Sequence, residues 1–196
     1  MKTKEFEKHF ENIKSFLLQS STQGLYTRSV NVRKNSTWAK DISLIRSFNI
    51  PVHPLHGKCF VTAAFCYYFA GGEKYGWTLK CIKNQFIYLV LPDGTKLKTT
   101  HWFIEDKAGN IFDPSKSQFC HGYGPDNYYK TGVRGAIGWP YFRWKGKKSQ
   151  RYKTNVPSQE VLRLTEAYIK QYSQAGHLDN WLKKSNKFRQ KWENQY

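Results

Sequence analysis

Phe6, Phe10, Ile13 and Leu17 recur at steps of three and four, with Lys and Glu filling the positions between them. That spacing lines one face of an α-helix and predicts a docking helix over residues 3–19. A second run, HGKCFVTAAFCYYFAGG at 56–72, is apolar over most of its length. It predicts a buried helix over Cys59–Phe69, with Phe60, Ala63, Ala64 and Tyr67 on one side. Gly71 and Gly72 follow as residues able to end it in a left-handed cap.

Beyond that helix the period changes. Strand candidates lie at 77–82, 86–91, 97–105 and 111–113, separated by Pro92-Asp93-Gly94 and by the turn-forming residues 106–110. A helix followed by hairpins without crossover helices predicts an α+β fold with an antiparallel meander. Residues 115–155 are rich in Gly, Tyr and basic side chains and read as long loops. Helical spacing returns at 157–174, with Val161, Leu164, Tyr168 and Tyr172 on one face and Gly176 as the stop, and again at 178–192. Residues 20–55 are polar and end in Ile50-Pro51-Val52-His53-Pro54, where the prolines force an extended approach to Cys59 and only 38–48 has helical character. The organisation expected is one domain: an N-terminal helix and wrapping segment (1–55), a core (56–125), and basic loops with C-terminal helices (126–196).

Composition modifies this picture in two ways. At 39% hydrophobic and 17% aromatic the chain is able to fold around a core. Its 32 Lys and Arg against 14 Asp and Glu leave a formal charge of +18, which suits a polyanionic neighbour: an acidic protein substrate, a nucleic acid or an anionic membrane surface. The first residues mix acids and bases around short apolar steps, so neither a secretory signal nor a membrane-spanning segment is expected. Four cysteines in that setting point to free thiols in a reducing, cytoplasmic compartment. Oligomeric state has no signature in the chain.

Cys59 changes the functional reading. It follows a glycine turn and opens a helix, where unsatisfied backbone N–H groups favour a thiolate over a thiol. Downstream, THWFIEDKAGNIFDPS places His101 on one strand and Asp113 on the next, within about a residue of being opposite. An imidazole held by a carboxylate keeps its second nitrogen free for a thiol proton. Cys66 and Cys81 read as core residues.

Cysteine at a helix start, histidine on a strand and aspartate on the following strand resembles the papain-like superfamily, in particular its transglutaminase-like and arylamine N-acetyltransferase-like branches. The passage from Gly57-Lys58-Cys59 through His101-Trp102-Phe103 to Asp113-Pro114-Ser115 and Gln118-Phe119 is also similar to a group of small bacteriophage-encoded proteins. The resemblance implies a papain-like core, with Cys59 as nucleophile, His101 as general base and then general acid, and Asp113 as orienting residue. It also implies the cytoplasm of a host cell as the place of action. One departure is that no Gln stands shortly before Cys59, so the oxyanion site falls to the Cys59 N–H with His56 or Lys58, and Trp102 becomes a lining candidate.

Two further patterns compete for attention. His53, His56 and Cys59 at steps of three, with Cys120-His121, have ligand chemistry, but Pro54 breaks any shared helical face and no CxxC pair is present, so neither metal nor other cofactor is expected. The run 141–153 carries Arg143, Lys145, Lys147, Lys148, Arg151 and Lys153 interleaved with aromatics including Trp144, which suits phosphate neutralisation with base stacking as well as a solvated loop. Lys183, Lys184, Lys187, Arg189 and Lys191 form a second basic cluster. Two functions are therefore expected in order. The first is cysteine-dependent acyl transfer through a thioester, resolved by water (peptidase, amidase or deamidase) or by an amine (transglutaminase-like). The second is a nucleic-acid- or partner-binding protein on the same scaffold with an idle cysteine.

Overall fold

The computed structural model describes residues 1–22, 43–44, 46–47, 54–82, 88–90, 93, 95–98, 100–116, 149–152 and 157–193. Helix α1 runs Thr3–Thr22, and its apolar positions become Phe6, Ile13, Phe16 and Leu17, all buried. Phe6 meets the rings of Trp77 at 4.7 Å and Phe112 at 5.2 Å, while Phe16 meets Phe65 at 5.9 Å and Tyr168 at 5.0 Å. Aromatic side chains cover large areas at little entropic cost, so this one stripe ties the first helix to most of the remaining core. The start of α1 is fastened by the Thr3 hydroxyl, which donates to Asp106 Oδ2 at 2.8 Å.

Helix α2, Cys59–Phe69, is the centre of the fold. All of its residues except Phe60 are buried, so it is covered on every side, and the one-sided face expected from Phe60, Ala63, Ala64 and Tyr67 is too narrow a description. A helix apolar all round has no solvent face to show. It ends at Ala70, and Gly71 then takes φ 94°, in the left-handed region. A Cβ at Gly71 would lie 2.4 Å from Tyr75 Cδ2, so glycine is required there by space as well as by backbone angle. A short 3₁₀ turn at Gly72–Tyr75 leads to the strands.

These are β1 Thr78–Ile82, β2 Tyr88–Val90, β3 Lys96–Lys98, β4 His101–Glu105, β5 Ile111–Phe112 and β6 Ser149–Tyr152. The main sheet has the order β5-β4-β1-β6, antiparallel throughout, and among the described residues β2 pairs with β3 in a separate hairpin. The mixed helix and antiparallel-sheet character is the α+β class expected, but the simple meander is not. The run 97–105 divides between two sheets: Leu97 pairs with Leu89, whereas His101 pairs with Ile82. β6 arises inside the stretch read as loops; it is a sheet-edge strand of sequence SQRY, whose scarcity of aliphatics hid it.

Two C-terminal helices complete the fold, α3 Gln159–Tyr172 and α4 Leu178–Glu193. Ser158 caps α3 by accepting from Val161 N at 3.3 Å, and Val161, Leu164, Thr165 and Tyr168 are buried. The helix stops at Ser173, at φ 52°, rather than at Gly176, which sits in the turn before α4. Trp181 of α4 packs edge-on against Tyr68 at 4.7 Å. Residues 43–44 and 46–47 are helical, within the 38–48 candidate. Among the described residues no helix is long and apolar enough to cross a membrane.

Candidate active site

The tip of α2 is formed by a tight turn. Gly57 adopts φ 73°, Lys58 N–H donates to Leu55 O at 3.0 Å, and the chain enters the helix at Cys59. No side chain caps this end from Lys58, so the first turn keeps the donor-rich character of a helix N-terminus. Cys59 is 9% exposed; its thiol donates to Thr100 O at 3.4 Å, and Cys59 contributes to raising the pKa of His101.

His101 opens β4, the strand against which α2 packs. Its Nε2 is 2.7 Å from Asp113 Oδ2, both residues being almost wholly enclosed, at 1% and 6% exposure. With Nε2 committed to the carboxylate, Nδ1 is the ring atom left for the thiol. Extending the pairing of Ile104 with Phe112 and Glu105 with Ile111 by one step sets Asp113 across from Phe103. The imidazole therefore reaches the carboxylate on the diagonal rather than straight across, a separation that long side chains span.

Electrostatics follow from this enclosure. Burial alone pulls the pKa of His101 down, but the charge and hydrogen bond of Asp113, joined by Cys59, outweigh it and push the ring up to about 10. An imidazolium between a carboxylate and a sulfur is the favoured state of such a row. Seven residues further along α2, Cys66 is fully buried; burial, and then the nearby Asp113 charge, push its thiol well above the usual range. Cys66 is thus an internal reference for an unreactive thiol. Cys81 is buried as well, and Cys120 lies outside the described residues.

The remaining candidates separate. Lys58 directs its ammonium to Glu160 Oε1 of α3, at 3.5 Å. His56 is half-buried in the turn before α2, and burial lowers its pKa so that the ring is neutral at pH 7. Trp102 meets Phe60 edge-on at 4.9 Å, each the residue following a member of the row. Of the basic candidates, Arg143, Trp144, Lys145, Lys147, Lys148 and Lys153 lie outside the described residues, while Arg151 sits on β6 opposite Lys80. Among the described residues no group of three or more His, Cys, Asp and Glu is arranged to hold a metal.

One site residue had no assigned role in the sequence. Ser115, fully buried, donates to Asp113 Oδ1 twice, from its backbone N–H and from its hydroxyl, both at 3.0 Å. Aspartate two residues before serine, across a proline, was the available signal: it is the local pattern in which a carboxylate bonds its own backbone two residues on.

Neither family models, nor curated proteins, nor solved structures match the chain.

Proposed function

We propose that the protein is a cysteine-dependent acyl-transfer enzyme built on a papain-like, transglutaminase-like core. The observation that carries this reading is the enclosed 2.7 Å bond between His101 and Asp113, with Cys59 close enough to the same ring to raise its pKa. Placement of the thiol at a helix tip, of His101 at the start of one strand and of Asp113 just past the end of its neighbour supports the same order of roles.

In the first half-reaction the thiol proton is already held on His101 Nδ1, as the imidazolium, and Sγ attacks the carbonyl carbon of an amide or ester while the carbonyl π electrons move to oxygen. Collapse of the tetrahedral adduct expels the amine or alcohol, which leaves with the proton from Nδ1, and a thioester remains on Cys59. Water or an amine then gives a proton to Nδ1, attacks the thioester and releases the sulfur. Helix N-terminal N–H groups at Cys59 are the donors proposed for the oxyanion. That ion pair forms from the thiol as the S–H turns from Thr100 O to the ring and the proton passes to Nδ1.

Brief treatment with iodoacetamide at neutral pH, followed by peptide mass spectrometry, tests the nucleophile. Cys59 is expected to label well ahead of Cys66 and Cys81, and His101→Ala to slow it; equal, slow labelling of all three sinks the proposal.

A second reading has one observation of its own. Lys183, Lys184 and Lys187 are exposed along α4, with Lys184 Nζ 5.1 Å from the Trp181 ring centre. A basic helix of this kind binds a polyanion by releasing counterions. Under this reading affinity for a single-stranded or duplex oligonucleotide falls steeply between roughly 50 and 200 mM salt; absence of binding at the lower salt removes nucleic acid as the partner.

A further inference from the structure

Asp113 is held from both sides. Oδ2 faces His101 Nε2, and Oδ1 accepts from the Ser115 N–H and the Ser115 hydroxyl. The two donors come from one residue and meet one oxygen, so they fix rotation about the Cβ–Cγ bond and aim the other oxygen at the ring. Pro114 between them carries no N–H and has a fixed φ, which limits how the turn can relax. Exposure is 0% at Ser115, 1% at His101 and 6% at Asp113, so no bulk water is available to replace a lost donor.

We propose that Ser115 is a positioning residue of the Cys59, His101 and Asp113 row, acting through Asp113 to keep the imidazolium form of His101 in place. The inference deepens the acyl-transfer reading and rests on it for its functional meaning. Loss of the hydroxyl acts in two ways that converge. The carboxylate becomes free to turn away from Nε2, and with one donor fewer it is a poorer anion in a dry site, so the shared proton moves toward oxygen. Both remove imidazolium character from the ring.

The test uses the full chain and follows the ring ¹⁵N signals of His101 from pH 7 to 10. Ser115→Ala is expected to weaken the ring's hold on its proton about tenfold, the size of effect appropriate to one hydrogen bond to a charged group. Ser115→Ala placed on Asp113→Asn is expected to change the ring no further than Asp113→Asn alone, because the route runs through the carboxylate. Ser115→Thr and Ser115→Val guard against a folding artefact: they share the added methyl and differ in the hydroxyl, so Thr is expected to keep the wild-type profile and Val to lose it. Superimposable Thr and Val profiles overturn the proposal, as does an equal effect of Ser115→Ala with and without the Asp113 charge.

Cys59 labelling separates this result from the acyl-transfer reading. An unreactive wild-type Cys59 beside an intact imidazolium defeats that reading and leaves the action of Ser115 on the ring standing. Wild-type ring signals and labelling rate in Ser115→Val defeat the present inference alone.

Discussion

Replacing Asp113 by Asn is the most informative single change, because the geometry dictates how the amide must sit. Ser115 presents two donors to the position of Oδ1, so the amide oxygen takes that place and its NH₂ is turned toward His101 Nε2. A donor facing Nε2 makes that nitrogen an acceptor and moves the ring proton to Nδ1. The neutral ring then offers the thiol an N–H instead of a lone pair, and the first proton transfer is blocked. The variant also removes the charge that offsets burial, so the ring pKa falls well below about 10. General-base assistance contributes roughly 10²–10⁴-fold, and a loss of at least about 10² in the rate of Cys59 alkylation between pH 7 and 8 is expected. The assay is time-resolved iodoacetamide labelling, with Cys66 as the internal reference and urea unfolding as the check on folding. Labelling within about threefold of the wild type across that range would refute the tautomer argument.

Stability should depend on pH through the same ring. His101 holds its proton in the folded state up to about 10, whereas the unfolded ring releases it near 6.5. The contribution is therefore complete below about 6.5 and is lost as pH rises through about 10, and urea midpoints are expected to fall across that window more in the wild type than in Asp113→Asn. Phe6→Ala removes a fully buried ring that touches Trp77, Phe69 and Phe112, and should cost roughly 3–5 kcal/mol of unfolding free energy in urea. Gly71→Ala sets a side chain in the left-handed region and against Tyr75, and a loss of roughly 1–3 kcal/mol is expected, read as a lowered thermal midpoint.

Local chemistry was legible where periodicity was strong. The stripes of α1 and α3 and the wholly apolar α2 announce themselves in spacing, and so does a cysteine at the tip of α2. His101 and Asp113 could be paired because a short turn joins their strands, although the register makes the contact diagonal. Which strands become neighbours was less legible. Nothing in the run 97–105 marks the point at which the chain leaves the partner of Leu97 for the partner of His101, since both halves have strand character. β6 has no sequence signature because pairing with β1, a contact made across the chain, turns a polar sequence into a strand. Ser115 is not legible as a site residue because a small polar residue after Asp-Pro has the pattern of an ordinary turn, and its hydroxyl contact with the carboxylate is set by the fold.

The acyl-transfer proposal meets its most direct test in trapping the intermediate. The full chain is exposed to a panel of activated acyl esters and acyl amides, weighed intact, and then digested to locate any adduct. The expected result is the mass of the acyl group on the Cys59 peptide, discharged by neutral hydroxylamine as a thioester is, and absent or much slower to form in His101→Ala. No acyl group on Cys59 with any donor, or an adduct that forms as fast without His101, would contradict it.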